Sequence, residues 1–164
     1  MSDAGNPLRA KVLTVSDGVA DGTRQDKSGA ALVARLREAG YEVADHRVSP
    51  DGVESVGAAL TEMARGFHGL IVTTGGTGFG PRDLTPEGTR AVLEREAPGF
   101  AEAMRMATYG RNVFGLLSRA VCGTRGTALI CNTPGSTGGA VECLEAVLDA
   151  VPHALDLLGG GRPH

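Results

Sequence analysis

The sequence predicts an α/β protein of three layers, α/β/α, in which helices cover both faces of a mainly parallel sheet. Strand-like and helical segments alternate at the spacing of βαβ crossovers. The segment at residues 69–74 opens with the apolar run Gly-Leu-Ile-Val, as expected of a buried parallel strand. No internal repeat or linker interrupts this order. We therefore expect one domain over residues 1–164, with polar tails at about 1–7 and 159–164.

The first half of the chain shows three strands and two helices. Alternating or continuous apolar residues predict strands at residues 9–16, 41–49 and 69–74. Helical spacing predicts a helix through residue 39 and another over residues 53–65. Asp26 is a good N-cap for the first helix, and Gly40 is a good stop. The turn Pro50-Asp51-Gly52 precedes the second.

The second half continues the same order with less regular pieces. Thr85 is predicted to cap a helix that has Pro86 at its first position and Glu87 in its first turn. Pro98-Gly99 is predicted to break that helix, which resumes over residues 100–109. The remaining predictions are a short irregular or strand piece at 118–122, a turn at 125–126, a buried strand at 127–132, a glycine loop at 133–139 and helices at 140–148 and 152–158.

Composition excludes several functional classes. The net charge is −3 and no basic face is concentrated, so a nucleic-acid partner is not expected. Aromatic residues make up 4% of the chain and Trp is absent, which argues against base stacking. No apolar stretch approaches the ~20 residues that span a membrane, and the amino terminus does not resemble a signal peptide. Three widely spaced cysteines indicate reduced thiols and a cytoplasmic location.

The most informative segment is residues 73–87, TTGGTGFGPRDLTPE. A strand that ends in such a glycine cluster exposes backbone N–H groups without covering side chains, which suits phosphate oxygens. No Gly-Lys-Ser/Thr follows, so it is not a Walker A loop, and Pro81 breaks the dinucleotide pattern. Arg82 and Asp83 add a cation and a carboxylate beside the expected phosphate. The sequence therefore predicts a polyphosphate site.

Two aspartates are candidate ligands for Mg²⁺. Ligands on parallel sheets bind at the carboxyl ends of the strands, so the loops holding Asp51 and Asp83 should converge. Two carboxylates beside a polyphosphate repel it unless a divalent cation lies between them, and Mg²⁺ is held in this way. The alternatives remain open: Asp83 as a helix cap, and Asp51 as an ordinary turn residue.

Other segments at the same edge carry weaker signals. Ser16-Asp17-Gly18 follows the first strand, and Asn132-Thr-Pro-Gly-Ser136 precedes a helix whose N-terminus suits a second phosphate. A plain tight turn is the alternative for each. Arg105 and Arg119 either supply charge to an anionic ligand or solvate a helix face. Cys131 has no nearby His or Asp in sequence and is interpreted as core.

Taken together, these motifs resemble the MogA/MoaB group of molybdopterin adenylyltransferases, which is also akin to the G domain of gephyrin. The resemblance runs from Val12 to about Leu158. It is carried by the segment 73–87 and by the shorter motifs Val15-Ser16-Asp17, Gln25-Asp26-Lys27, Pro98-Gly-Phe100 with Met104-Arg105, Leu117-Ser118-Arg119 and Asn132-x-Pro-Gly-Ser136. Thr133 and Thr137 depart from it, since the family often has Leu and Pro there.

The resemblance implies a molybdopterin-binding fold and transfer of AMP from Mg-ATP to the terminal phosphate of molybdopterin. It implies that Asp51 and Asp83 are the essential acidic pair. It also implies a nucleotide and molybdopterin pocket lined by Ser16, Asp17, Thr74, Gly75, Gly76, Thr77, Gly78, Ser118, Pro134, Gly135 and Ser136. A homotrimer, or alternatively a hexamer, and contact with the molybdate-insertion enzyme are implied as well.

Two other functions fit the same motifs less well. Molybdate insertion uses a domain of the same fold, but its enzymes typically carry Ser-Val-Gly where Thr77-Gly78-Phe79 stands here. A non-catalytic molybdopterin carrier of the MoaB type is the second alternative. The presence of both aspartates favours the transferase.

Overall fold

A six-stranded sheet flanked by seven α-helices forms the part of the chain that the structure, a computed structural model, describes, namely residues 5–162. In chain order the elements are β1 (Arg9–Val15), α1 (Asp17–Ala20), α2 (Lys27–Glu38), β2 (Glu42–Ser49), α3 (Val53–Ala64), β3 (Gly69–Thr74), α4 (Thr85–Arg90), β4 (Arg95–Glu96), α5 (Pro98–Tyr109), β5 (Cys122–Arg125), β6 (Ala128–Thr133), α6 (Thr137–Val147) and α7 (Val151–Leu158). Two 3-10 helices, Val113–Leu117 and Leu148–Ala150, complete it. The outermost residues of the predicted polar tails, 1–4 and 163–164, lie outside the described range.

The strands lie in the order β2-β1-β3-β6-β5-β4. The first four are mutually parallel, whereas β5 runs antiparallel to β6 and β4 antiparallel to β5. The prediction of a mainly parallel sheet is therefore confirmed. This order brings the carboxyl ends of four neighbouring strands to one edge, where ligands of such sheets bind.

Two separate apolar cores show that helices cover both faces of the sheet. Val12 and Val72 point into a core shared with α2, α5, α6 and α7. Leu13, which follows Val12 in β1, and Ile71, which precedes Val72 in β3, point into a second core with α3. Because successive strand residues face opposite sides, each central strand contributes to both cores. The predicted three-layer α/β/α fold is confirmed.

Several short elements differ from the sequence prediction. Helix α1, strand β4 and the 3-10 helix Val113–Leu117 were not predicted, because four, two and five residues are too few to show a period. Pro98 does not break a helix but opens α5, since a proline in the first turn loses no intrahelical bond. Strand β5 lies at Cys122–Arg125, so most of the predicted piece at 118–122 is irregular.

The predicted cap of α4 is wrong. Leu84 occupies the N-cap position and Thr85 is already helical. The Thr85 hydroxyl is buried and has no hydrogen-bond partner among residues 5–162. The helix is instead held by the Thr85 N–H, which donates to the carbonyl of Gly76 at 3.0 Å. The start of α4 is thus tied directly to the glycine loop.

Two further sequence expectations concern the state of the cysteines and membrane-spanning segments. All three cysteines are buried and free. None of the helices in residues 5–162 is both long enough and apolar enough to cross a membrane.

Candidate active site

The loops that follow β1, β2, β3 and β6 meet around one open cavity of about 1160 Å³. All but one of the predicted site residues line it: Ser16, Asp51, Thr74, Gly75, Gly76, Thr77, Gly78, Asp83, Ser118, Pro134, Gly135 and Ser136. The exception is Asp17, which lies just behind Asp51. The predicted convergence of these loops at the carboxyl edge of the sheet is therefore present.

The glycine loop after β3 requires glycine at its first two positions. Gly75 and Gly76 have φ values of 102° and 67°, which L side chains rarely adopt. A side chain would also collide with the Val15 carbonyl at Gly75 and with the Thr85 hydroxyl at Gly76. Of the four N–H groups at residues 76–79, none has a hydrogen-bond acceptor in the described chain. The loop thus presents unpaired donors of the kind that bind anions.

The two candidate carboxylates lie near different glycines of this loop. A methyl group built on Gly76 would lie 3.1 Å from Asp51 Oδ1, and one built on Gly78 would lie 3.1 Å from Asp83 Oδ2. Asp83 does not cap α4, because its Oδ2 accepts from the N–H of Gly80 at 2.9 Å. Asp83 therefore hydrogen-bonds to the loop, and Asp51 lies beside it.

Asp51 is held in place by a reciprocal lock with Asp17. The Asp17 N–H donates to Asp51 Oδ2 at 2.9 Å, and the Asp51 N–H donates to Asp17 Oδ1 at 3.0 Å. Arg82 grips Asp17 with Nε and Nη2 at 2.9 and 3.0 Å, and Nη2 also donates to the Asp51 carbonyl at 3.0 Å. The guanidinium that the sequence placed beside a phosphate is thus bound to Asp17 instead.

The two carboxyl groups have opposite pKa shifts, with different causes. The hydrogen bond from Arg82 holds the pKa of Asp17 below its ordinary value. Burial raises the pKa of Asp51, and the negative charges of Asp17 and Asp83 add to that effect. A partly buried carboxylate beside like charges is an environment that a cation relieves.

The residues present suit a magnesium ion. Asp51 and Asp83 line one cavity and repel each other electrostatically, and carboxylate oxygen is the ligand type that Mg²⁺ prefers. No group of three or more His, Cys, Asp or Glu side chains with metal-binding geometry occurs among residues 5–162. An ion here would therefore share its coordination between two carboxylates and oxygens of a substrate or water.

A second set of unpaired amides lies opposite the glycine loop. Helix α6 has 11 residues, and its N-cap Ser136 makes no side-chain capping bond. The N–H groups of residues 135–139 have no acceptor in the part of the chain that is described. A methyl group on Gly135 would lie 3.4 Å from the Cα of Gly75, so the two glycine turns are in contact. The arrangement is that of a second anion-binding position.

Two buried side chains tie these turns together. The Thr74 hydroxyl donates to the Pro134 carbonyl at 2.8 Å. The Asn132 side chain donates to the hydroxyls of Thr73 and Thr89, both at 3.0 Å, and accepts from the Val121 N–H at 3.2 Å. The ends of β3 and β6 are therefore fixed relative to each other and to α4.

The two arginines left open by the sequence have different environments. Arg105 lines the cavity, while one of its nitrogens donates to the Ala120 carbonyl at 2.8 Å. Arg119 does not line the cavity and contacts the back of the glycine loop. The sequence analysis did not predict several other residues that line the cavity, because most of them show only a charged or hydroxyl side chain and no recognisable binding motif. They are Thr14, Arg24, Lys27, Thr108, Arg111, Asn112, Phe114 and Glu142.

Comparison with known proteins gives the family. A family model described as a probable molybdopterin binding domain matches residues 11–153. A molybdopterin adenylyltransferase of Helicobacter pylori is 38% identical over 152 residues, which covers 91% of this chain and 86% of that protein. Gephyrin of Dictyostelium discoideum is 37% identical over 157 residues, but this chain spans only 22% of its length.

Solved structures agree with the sequence relatives. The molybdopterin biosynthesis enzyme MoaB of Thermus thermophilus matches with a TM-score of 0.86 at 46% identity, over 93% of this chain and 97% of that one. The Mog protein of Mycobacterium ulcerans also matches with a TM-score of 0.86, at 39% identity over 92% and 99% of the two chains. The fold, the glycine loop and these matches together show that the chain belongs to the molybdopterin-binding MogA/MoaB family of molybdenum cofactor biosynthesis proteins.

Proposed function

We propose that this protein transfers AMP from Mg-ATP to the terminal phosphate of molybdopterin. A phosphate oxygen of molybdopterin attacks the α-phosphorus of ATP and forms a new P–O bond. The bond from the α-phosphorus to the oxygen that bridges to the β-phosphate breaks, and pyrophosphate leaves. The observation that carries the proposal is that two sets of residues with unpaired amides, at 76–78 and 135–139, line one cavity together with two carboxylates.

The amides and the carboxylates divide the work. Donors of the glycine loop bind and orient phosphate oxygens, and the N-terminus of α6 offers the second position. Asp51 and Asp83 would hold the magnesium ion. Mg²⁺, when bound, neutralises charge on the phosphates and polarises them toward attack.

The site needs no strong general base. A phosphate monoester has its second pKa near ~6, so it is largely ionised at neutral pH and already nucleophilic. Of the groups that line the cavity, none is a histidine. Catalysis therefore depends on alignment and on stabilisation of the developing charge, which is how phosphoryl-group transfer is generally catalysed.

The size of the cavity supports two substrates. Pockets for one drug-sized ligand occupy roughly 300–1,000 Å³. The cavity here is larger, at about 1160 Å³, and its charged lining includes cations at Arg24, Lys27, Arg105 and Arg111. The lining also holds the carboxylates of Asp26, Asp51, Asp83 and Glu142, which equal these cations in number. A nucleotide and a pterin phosphate are both anionic, so their binding would depend on Mg²⁺ beside Asp51 and Asp83.

Self-association is the second part of the proposal, with a homotrimer as the expected state. An exposed apolar surface lies at the end of α5 and along the following 3-10 helix, formed by Met106, Tyr109, Val113, Phe114, Leu116 and Leu117. Phe114 and Leu117 also line the cavity, so a second copy seated there would border the site. We expect the Leu116→Asp variant to lower the mass measured by light scattering to that of a smaller species.

Three further parts of the proposal concern organisation and setting. The chain acts as one domain, it works in the cytoplasm, and its product passes to the molybdate-insertion enzyme with which it makes contact. One domain is expected from the unbroken order of strands and helices, the cytoplasm from the widely spaced cysteines, and the partner enzyme from the family resemblance. The net charge of −3 accords with a partner that is not nucleic acid.

The deciding experiment mixes the pure protein with molybdopterin, Mg²⁺ and α-labelled ATP. Label transferred to the pterin, with release of pyrophosphate, is the expected result. Binding of molybdopterin without label transfer would favour the carrier function instead. Asp83→Ala should retain molybdopterin binding and lose transfer by roughly 100-fold or more, because one of two magnesium ligands is gone. Asp149→Ala is the matched control, because it removes an exposed carboxylate from the 3-10 helix after α6 that does not line the cavity.

A further inference from the structure

Arg119 lies behind the glycine loop and binds three of its carbonyl groups. Its N–H donates to the Thr77 carbonyl at 2.9 Å. Its guanidinium donates through Nε to the Gly78 carbonyl at 2.9 Å and through Nη2 to the Asp83 carbonyl at 2.6 Å. The side chain is partly buried and does not line the cavity. One residue thus holds the middle and the end of a loop that lies about 40 positions earlier in the chain.

These bonds determine which way the loop amides point. In a trans peptide the C=O of one residue and the N–H of the next point in opposite directions. The carbonyls of Thr77 and Gly78 point back toward Arg119, so the N–H groups of Gly78 and Phe79 point away from it. These are two of the amides with no acceptor in the described chain.

Glu87 keeps the guanidinium in this position. It lies in the first turn of α4 and binds Arg119 through both carboxylate oxygens, Oε1 to Nη1 and Oε2 to Nη2. The hydrogen bond from Arg119 lowers the pKa of Glu87. Because the planar guanidinium has donors left for two carbonyls while it pairs with Glu87, a lysine cannot replace it fully.

We propose that Arg119 is a positioning residue that orients the glycine-loop amides toward the triphosphate and sets the backbone position of Asp83. This inference rests on the proposed function for the identity of the ligand. According to this inference, Arg119 strengthens the binding of Mg-ATP and has no effect on the binding of molybdopterin. Arg119 itself contacts neither substrate. Its guanidinium is hydrogen-bonded to backbone carbonyls and to Glu87, so it does not pair with the charge of the substrate.

The test compares Arg119→Gln and Arg119→Lys with Arg125→Gln. Arg125 is a matched control, since it is also partly buried and donates to a single backbone carbonyl, that of Val92, at 2.8 Å. It pairs with Ala128 at the opposite end of β6 from the cavity. Amide exchange of Gly80, Asp83 and Thr85 is measured by NMR on the free proteins, because these N–H groups are hydrogen-bonded within the loop region. Binding of a non-hydrolysable ATP analogue with Mg²⁺, and of molybdopterin alone, is measured by calorimetry.

We expect Arg119→Gln to speed exchange of those amides about tenfold and Arg125→Gln to leave them unchanged. The affinity of Arg119→Gln for the nucleotide analogue should be about tenfold lower than that of the wild type, and its affinity for molybdopterin should be unchanged. The affinity of Arg119→Lys for the nucleotide analogue should lie between those of Arg119→Gln and the wild type. Equal exchange in the two glutamine variants, or equal loss of affinity for both ligands, overturns the inference. If the wild type transfers no AMP while the exchange difference is present, the proposed function fails and the positioning of the loop stands.

Discussion

The two glycine turns of the cavity touch each other, yet they are built in different ways. The turn at 75–80 begins with two glycines at positive φ, lies beside Asp51 and is hydrogen-bonded by Asp83 and Arg119. The turn at 135–139 contains no glycine at positive φ and leads straight into an 11-residue helix. The first depends on residues far away in sequence, whereas the second depends on its own helix.

This difference separates two ways of binding an anion. The helix N-terminus has donors whose direction follows from regular geometry and from the helix dipole. The irregular loop has no regular geometry that determines the direction of its N–H groups. The orientation of each peptide plane therefore depends on a specific hydrogen-bond partner. Substitutions at the two turns should therefore have unequal effects.

The largest expected difference is between Gly76→Ala and Gly138→Ala. Alanine at Gly76 must adopt a φ of 67° and collide with the Thr85 hydroxyl. A left-handed residue and an overpacked contact together cost about 2–4 kcal/mol of unfolding free energy. At Gly138 no atom lies within 4 Å of an added methyl group, and alanine favours a helix. That variant should be as stable as the wild type or more stable by up to ~1 kcal/mol.

Urea unfolding measures this difference. Adenylyl transfer by Gly76→Ala should also fall by about 100-fold, because displaced donors no longer align the phosphates. Equal midpoints for the two variants would show that the loops are equivalent after all.

Asp51→Asn sharpens the comparison, because Asp51 lies beside the first turn. Transfer should fall by roughly 100-fold or more, since the amide is a poor ligand for Mg²⁺ and carries no charge. The wild-type activity should also fall as the pH drops through the raised pKa of Asp51, where the carboxylate becomes protonated. A pH profile of kcat/KM, which reports ionisations of the free enzyme, checks this dependence.

The same substitution should not destabilise the fold. The pKa of Asp51 is raised in the folded state, so folding favours its protonated form and its ionised form costs stability at neutral pH. This unfavourable contribution appears as the pH rises from the unfolded pKa toward the folded one. The amide side chain of the variant stays neutral, so stability at pH 7 should rise by no more than about 0.5 kcal/mol, because water screens a partly exposed carboxylate. A clear loss of stability would mean that Asp51 is a structural residue.

Thr85→Val has the smallest expected effect. The hydroxyl lies under Gly76, is buried and has no partner among residues 5–162. Replacing an unsatisfied hydroxyl by a methyl of the same shape should change the unfolding free energy by less than ~1 kcal/mol, and a gain is the expected direction. A larger loss in urea unfolding would show that the hydroxyl forms a hydrogen bond in solution.

The sequence predicted the fold well where the pattern was long. Strands β3 and β6 are continuous apolar runs, and the helices after them follow glycine turns, so the sheet and its ligand-binding edge could be predicted. Strand β4 could not, because two exposed residues become a strand only by pairing with β5. The start of α4 was wrong by one residue, because Thr85 looked like a cap and the backbone bond to Gly76 leaves no sequence signal.

The candidate site shows the same division. Asp51 and Asp83 follow strands and could be placed at the cavity from strand order alone. The pairing of Asp17 with Arg82, and of Arg119 with Glu87, depends on side chains that are 65 and 32 positions apart. Nothing in local pattern encodes such distances, so an arginine expected near a phosphate was found on a carboxylate.

The Asn132 side chain makes the rim of the cavity one mechanical unit. Its amide joins β6 to β3, to α4 and to the segment before β5, so the strands that lead into the two turns are fixed relative to each other. If a turn from a related protein were transplanted into this chain, Asn132 and its three hydrogen-bond partners would have to be transplanted with it. Variation in what the cavity accepts is therefore easiest along residues 105–117, which make no hydrogen bond with it.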